Sequence, residues 1–419
     1  MKSPWLKRAL PWAIYDWANS TFATTVMAAF VPIFNKDFWS GGAPDTVSTF
    51  RLGAASSIAA VIVALLAPIL GAIADRSGAK KRFLACFAGL GAVATAGLAF
   101  AGPGQWALAL TFYVFAWIGF AGANIFYDSL LVSVSDEDQF DLVSALGYSL
   151  GYIGGGLLLT LNVAMTLHPA SFGLADSSQA VRVGFVLVAV WWAVFSLPLL
   201  LKVPEARTAQ TVSGVGAAVR AGFTQLVGTF HEIRRLRVVF LFLLAYWLYI
   251  DGVDTVIQMA VDYGRSLKLE TGDLIRALLI TQFVGFPAAL VFGKLGQRFG
   301  AKSGILLGLV VYAGVCVLSY RMTTVREFYA LALVIGLVQG GVQSLSRSFF
   351  ARLVPAGKAA EFFGFYNMLG KFAAILGPAI VAAVALGTGN SRLGILAILP
   401  LFIIGGVLLL KVKPATASS

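Results

Sequence analysis

The chain has 419 residues, of which 59% are hydrophobic and only 12% carry a charge. A soluble protein of this size could not cover its surface with so few charges, so the composition indicates a protein embedded in a lipid bilayer. The 31 Lys and Arg residues exceed the 19 Asp and Glu residues. Such an excess is typical of basic loops on one side of a membrane, and we expect no nucleic-acid partner.

Apolar windows, taken in chain order, predict an all-α membrane protein with twelve transmembrane helices. The first six lie near 10–35, 50–74, 83–101, 105–131, 141–167 and 181–201. The second six lie near 237–261, 272–293, 303–320, 327–350, 361–387 and 393–410. The expected organisation is an N-terminal six-helix half (1–202), a polar linker (203–236) and a C-terminal six-helix half (237–419). The mildly amphipathic stretch 212–230 predicts a short helix on the membrane surface.

The basic residues predict how the chain is oriented in the membrane. Alternating the loops between two sides places more than twice as many Lys and Arg residues on the side that holds both termini and the linker. The positive-inside rule puts that side in the cytoplasm. Cys86 and Cys316 fall inside predicted spans, and His168 and His231 are isolated. We therefore expect no disulfide framework, no metal and no other cofactor.

One short pattern occurs twice at a constant offset. Segment 71–82 reads GAIADRSGAKKR, and 293–302 reads GKLGQRFGAK, so Gly71 matches Gly293 and Gly78 matches Gly300, 222 positions apart. An internal repeat in a membrane protein predicts a secondary transporter built from two like halves. We expect the turns at Gly78 and Gly300 to match.

A second offset of 219 positions pairs Asn124 with Gln343 and Asp128 with Arg347. Asp128 and Arg347 are thus related by pseudo-symmetry and opposite in charge, each about one turn inside the cytoplasmic end of its helix. We predict that they attract each other across a closed cytoplasmic gate, directly or through neighbours such as Asp75. The alternative is that each pairs within its own half.

The doubled motif resembles the signature loop of the major facilitator superfamily. Further matches resemble the vacuole-effluxer-like branch, which includes fungal autophagy-related vacuolar amino-acid effluxers and bacterial homologues. They are the opening Tyr15-Asp16-Trp17-Ala18-Asn19-Ser20, then Asp251-Gly252-Val253, segment 339–348, and segment 362–367 with Lys371 and Gly377-Pro378. The resemblance implies the major facilitator fold, a transport activity and, by extension, amino-acid efflux.

Polar groups at membrane depth cost free energy, on the order of 2.5–3.5 kcal/mol for an Asp, Lys or Arg at a helix centre, and persist where they face a cavity or a partner. The predicted substrate or coupling residues are Asp16, Asn19, Asp251, Asp254, Gln339, Gln343, Asn367 and Lys371. The predicted gate residues are Gly71, Asp75, Arg76, Gly78, Asp128 and Arg347.

The carboxylates Asp251 and Asp254 are three residues apart and share one helix face. Two carboxylates so close in a low dielectric do not both ionise readily, which suits proton coupling. We therefore expect both to border a central cavity. Lys371 is a candidate to hold a substrate carboxylate. The alternative for all three is a structural pairing that fixes helix packing.

The remaining candidates carry similar alternatives. The amides of Gln339 and Gln343, one turn apart, suit a zwitterionic ligand or hydrogen bonds between helices. Asp16 lies near a helix start, where a carboxylate also favours the helix dipole. In the repeated loop, Asp75 is expected to interact with a helix amino terminus and Arg76 with a carboxylate. Gln297 replaces Asp75 in the second copy, which predicts that the two halves latch unequally.

These observations predict a secondary transporter, not an enzyme, that works by alternating access on a small polar solute. Amino-acid export is the first expectation, and coupling to protons is left open. The compact chain, without the long loops of a fungal vacuolar member, favours a bacterial inner-membrane protein, and we expect a monomer. One alternative is transport of a drug, a sugar or a lysolipid. Another is a membrane receptor or scaffold without transport, which predicts that Asp251, Asp254 and Lys371 are paired and that no cavity exists.

Overall fold

The computed structural model describes residues 4–205, 228–229, 231–266 and 269–413. These residues form twelve long helical segments that cross the molecule in alternating directions. The first six are α1 (4–39), α2 (Asp45–Ser77), α3 (Lys80–Gly97), α4 (Trp106–Ser129), α5 (Phe140–Leu167) and α6 (Ser177–Lys202). The second six are α7 (Arg237–Ser266), α8 (Thr271–Phe299), α9 (Ala301–Arg321), α10 (Val325–Leu353), α11 (Ala359–Thr388) and α12 (Leu399–Lys411). The predicted all-α class is confirmed.

The first helix departs most from its predicted form. It is α-helical over Pro4–Thr21, π-helical over Phe22–Phe30, α-helical over Val31–Phe34 and π-helical again over Asn35–Trp39. Within the part of the chain that the structure describes, ten further helices (α2 to α11) and the segment Arg392–Lys411, which includes α12, are long and apolar enough to cross a membrane. Short π-helical segments often occur at functional sites, and the first of these adjoins the cavity described below.

Both copies of the repeated motif end a helix with a glycine turn at the same side of the molecule. Gly78 has φ 60° and ψ 36°, and Gly300 has φ 85° and ψ 140°. Only glycine adopts positive φ readily. Lys81, after the first turn, donates to the end of α6, and Lys302, after the second, donates to the end of α12. The turns match in position and in the sign of φ but differ in ψ. We call this side the basic face.

The two halves pack through α2 against α11 and through α5 against α8. The first contact is backbone on backbone. A Cβ on Gly71 would collide with the carbonyl of Ala360, and one on Gly364 would lie 2.7 Å from the carbonyl oxygen of Ala67. Small residues allow such close approach between membrane helices. The predicted surface helix at 212–230 lies outside the described residues, except for 228–229.

Candidate functional site

A cavity of about 300 Å³ lies between the two halves. Its charged lining residues are Asp16, Asp128, Asp254, Arg347 and Lys371, and its amide lining residues are Asn19, Asn124, Gln282, Gln339, Gln343 and Asn367. The cavity therefore brings together seven of the eight predicted substrate or coupling residues, with two of the predicted gate residues.

Asp251 is the exception, and the expectation that it borders the cavity is wrong. Its side chain is 1% exposed and points at α11, where Oδ1 accepts from the backbone N–H of Gly377 at 2.9 Å and from the Thr255 hydroxyl at 3.4 Å. Residues three apart on an α-helix are rotated by about 60° from each other. That rotation turns Asp254 to the cavity and Asp251 to the neighbouring helix.

Arg347 of α10 is 2% exposed and crosses to the other half. Its Nη1 lies 3.1 Å from Asp128 Oδ1, and its Nη2 lies 3.3 Å from Asp16 Oδ2. Nε and Nη2 donate to the hydroxyl and the carbonyl of Ser144, both at 2.9 Å. Asp16 Oδ2 also accepts from the Tyr127 hydroxyl at 2.7 Å. We call these five residues the Arg347 cluster.

Aromatic rings close around the guanidinium of Arg347. Its Cζ lies 4.9 Å from the ring centre of Trp12, 5.2 Å from that of Tyr127 and 4.5 Å from that of Tyr148. Cation–π contacts of this kind are worth about 2 kcal/mol or more where water is excluded. Gly147 leaves room for the cluster, because a Cβ there would lie 2.5 Å from Asp16 Oδ2.

Asp254 of α7 and Lys371 of α11 also line the cavity, but they are not held in the same way. Neither makes an ion pair within 4 Å or a hydrogen bond to any residue that the structure describes. They interact through space as opposite charges, and the Lys371 ammonium lies 6.0 Å from the ring centre of Phe120. The pair is therefore open to a ligand.

The first repeated loop contacts the start of α11. Asp75 Oδ2 accepts from the backbone N–H of Glu361 at 2.8 Å, and Lys80 Nζ lies 2.7 Å from Asp75 Oδ1. The carboxylate thus faces a helix amino terminus, as the sequence predicted. Arg76 does not contact a carboxylate in the described part of the chain, and its side chain is exposed. Asp75 is also not a bridge between Asp128 and Arg347, which are in direct contact.

The second loop makes a weaker contact of the same kind. Gln297 Nε2 donates to the carbonyl of Asp138, just before α5, at 3.4 Å. A stronger contact between the same two regions, α5 and the C-terminal half, was not predicted from the sequence. Arg352 binds both carboxylate oxygens of Asp141, at 2.7 and 3.0 Å, and the Ser348 hydroxyl donates to the same group. The acidic loop 136–141 gave a signal, because it was the one acidic segment among basic loops.

These contacts have a common location. Every hydrogen bond and ion pair between the halves, among the residues described, lies at the cavity or between it and the basic face. The polar contacts between the halves are therefore concentrated on the basic-face side of the cavity. This is the geometry expected of an alternating-access protein that opens to the opposite face.

Comparison with known proteins identifies the family. The family described as vacuole effluxer Atg22 like matches residues 41–417. The chain belongs to this family. It is 41% identical to an uncharacterized MFS-type transporter, YxiO, of Bacillus subtilis (strain 168), over 100% of this chain and 97% of that protein. The chain is thus a major facilitator superfamily transporter and an integral membrane protein, not an enzyme.

More distant relatives extend this picture. Autophagy-related protein 22-2 of Penicillium rubens is 31% identical over 64% of this chain, and the match spans about half of the fungal protein's length (50%). The crystal structure of the human organic anion transporter MFSD10 superimposes with a TM-score of 0.77 at 15% identity, covering 97% of this chain and 100% of that one. The likeness to that structure shows a shared major facilitator fold.

Proposed function

We propose that this transporter exports amino acids by alternating access in exchange for protons. The observation that carries the proposal is the open pair Asp254 and Lys371 in a cavity lined by amides. An amino acid presents an ammonium and a carboxylate, which match Asp254 and Lys371 respectively. The amides add hydrogen bonds without adding charge. The family relationship to vacuolar effluxers supports the direction.

The alternatives fit the cavity less well. A sugar or an uncharged drug leaves both members of an open ion pair without partners, which is costly in a low dielectric. The lining carries three carboxylates against two cations, so an organic anion meets excess negative charge. A receptor or scaffold without transport predicts paired charges and no cavity. The cavity itself, and the open pair Asp254 and Lys371 within it, fit neither expectation.

The orientation belongs to the same proposal. We place the basic face in the cytoplasm of a bacterial cell, with both chain termini on that side, because most loop Lys and Arg residues lie there. In this orientation the Arg347 cluster closes the cytoplasmic gate. Export then alternates between this conformation and one in which the cluster has separated. The monomer is the proposed transporting unit, since each chain contains a complete cavity.

Counterflow in proteoliposomes tests the proposal. Vesicles are loaded with an unlabelled amino-acid mixture and exposed to the same mixture carrying a label. The expected result is accumulation by the wild type that falls about tenfold in Asp254→Asn and in Lys371→Gln. Folded protein that accumulates no amino acid, while a labelled sugar or organic anion does accumulate, would reject amino-acid transport.

A further inference from the structure

The charges that line the cavity do not balance. Asp16, Asp128 and Asp254 face only Arg347 and Lys371. Burial in a low dielectric makes an uncompensated charge costly, so the cavity favours an occupant that supplies one further positive charge. The identity of the uncompensated carboxylate then indicates where that charge binds.

The contacts of Arg347 separate its two carboxylate partners. Asp128 uses both oxygens, because Oδ1 accepts from Arg347 at 3.1 Å and Oδ2 accepts from Asn367 at 3.0 Å. Asp16 uses only Oδ2, which lies 3.3 and 3.4 Å from the two terminal nitrogens of Arg347. Oδ1 of Asp16 accepts no hydrogen bond from the described residues. Asp16 is 9% exposed and lines the cavity, so the unmatched negative charge lies there.

We propose that the substrate is a cationic amino acid whose side-chain cation binds Asp16. Its α-ammonium then binds Asp254 and its α-carboxylate binds Lys371. The inference rests on the proposed function and adds the substrate class to it. The cavity offers two carboxylates and one ammonium with open positions, and lysine, arginine and ornithine carry the complementary two cations and one carboxylate. A neutral amino acid leaves Asp16 uncompensated.

A proton is the alternative occupant of Asp16 when the cavity is empty. The groups that face Asp16 are Tyr15 in α1, Tyr127 and Asp128 in α4, Tyr148 and Tyr152 in α5, and Arg347 in α10. The tyrosines are uncharged near neutral pH, and Lys371 interacts with Asp254 and Asp128. Proton and substrate cation therefore compete, so the apparent affinity for lysine falls as the pH falls. Competition for one carboxylate also prevents the proton and the substrate cation from occupying it together.

The test compares labelled lysine with labelled norleucine, which has the same unbranched side-chain length without the ammonium. Full-length protein in proteoliposomes is expected to exchange lysine at least tenfold better than norleucine. Asp16→Asn is expected to reduce that ratio at least tenfold and to leave lysine affinity with only the pH dependence that norleucine also shows. Asp37→Asn, an exposed carboxylate on the same helix, is the matched control and should keep the ratio.

The ratio of lysine to norleucine exchange separates a binding role of Asp16 from a structural one, because damage to the fold slows the exchange of both substrates alike. Equal exchange of lysine and norleucine by the wild type overturns the substrate class while leaving amino-acid transport intact. An unchanged ratio in Asp16→Asn, or a ratio lost only in Asp128→Asn, overturns the assignment to Asp16. No exchange of any amino acid by folded protein removes the proposed function and this inference together. If Asp16→Asn does not fold, the wild-type comparison decides alone.

Discussion

Two groups of charges line one cavity, and the fold holds them differently. Arg347 joins α10 to α1, α4 and α5, so the contacts of its guanidinium exist only while the two halves are together. Asp254 and Lys371 both belong to the C-terminal half and have no direct partner among the described residues. Paired charges that cross the interface report on conformation, whereas open charges are available to a ligand. The comparison thus separates a gate, centred on Arg347, from the proposed site for the amino-acid backbone, and Asp16 contributes to both.

Replacing Arg347 should have the largest effect. Arg347→Gln leaves Asp16 and Asp128 buried without their cation, and breaking a buried pair costs about 3–5 kcal/mol. We expect transport to fall at least 100-fold and the unfolding temperature to drop, measured by counterflow and thermal unfolding. Arg298→Gln, at the exposed end of α8, is the control and should change neither.

Charge reversal examines the same contact from both sides. Asp128→Arg and Arg347→Asp should each abolish transport, and combining them should restore part of it. Cysteines at the two positions should crosslink when the basic face is closed. No restoration by the double variant, together with no crosslink, would show that the pair is not a gate.

A methyl group placed inside the cluster should have the next largest effect. In Gly147→Ala the new Cβ would lie 2.5 Å from Asp16 Oδ2 and 2.8 Å from the Tyr127 hydroxyl, so the cluster must move apart. We expect transport to fall tenfold or more, because the gate no longer closes fully. Gly89→Ala, in α3, meets no atom within 4 Å and should be neutral. Equal behaviour of the two variants would remove the argument that the cluster is tightly packed.

Sequence reasoning predicted the spans, the repeated turns and most of the cavity lining, because these depend on apolar length, glycine and the cost of buried charge. It did not predict the contacts of Ser144 with Arg347 or of Asp141 with Arg352. Each joins residues that are far apart in sequence and meet only when the two halves pack together. It also could not separate Asp251 from Asp254. Two residues three apart on a helix lie on one face, but their side chains still differ in direction by about 60°. Here that difference points Asp254 into the cavity and Asp251 at the neighbouring helix.

Substitutions of the open pair, Asp254 and Lys371, should lower transport less than those in the Arg347 cluster and should not destabilise the fold. Asp254→Asn and Lys371→Gln each remove one ligand for the amino-acid backbone, so we expect transport to fall about tenfold for every amino acid. Their unfolding temperature should stay near that of the wild type, since no direct contact is broken. Asp251→Asn should show the reverse, with stability lowered by about 1–3 kcal/mol through its buried contact to α11 and transport retained.

Transport driven by a pH gradient completes this comparison. Unchanged coupling in Asp251→Asn, in Asp254→Asn and in the double variant would exclude both carboxylates as coupling residues. That result agrees with a proton on Asp16. Coupling lost in Asp251→Asn alone would contradict the structural role given to that residue here.

The two repeated loops should show the smallest effects, and unequal ones. The Asp75 carboxylate lies 2.7 Å from Lys80 and accepts a 2.8 Å bond from the start of α11, whereas the contact of Gln297 is made by an amide, is exposed and is 3.4 Å long. Hydrogen bonds to charged groups contribute about 1.5–3 kcal/mol and long exposed ones far less. Asp75→Asn should therefore shift the ratio of closed to open basic face about tenfold, and Gln297→Ala less than twofold. Spin labels at the exposed positions 76 and 298, in a variant lacking Cys86 and Cys316, measure that ratio. Equal shifts would mean that the charge of Asp75 adds nothing to the gate, and that the Arg347 cluster and the Asp141–Arg352 pair close it alone.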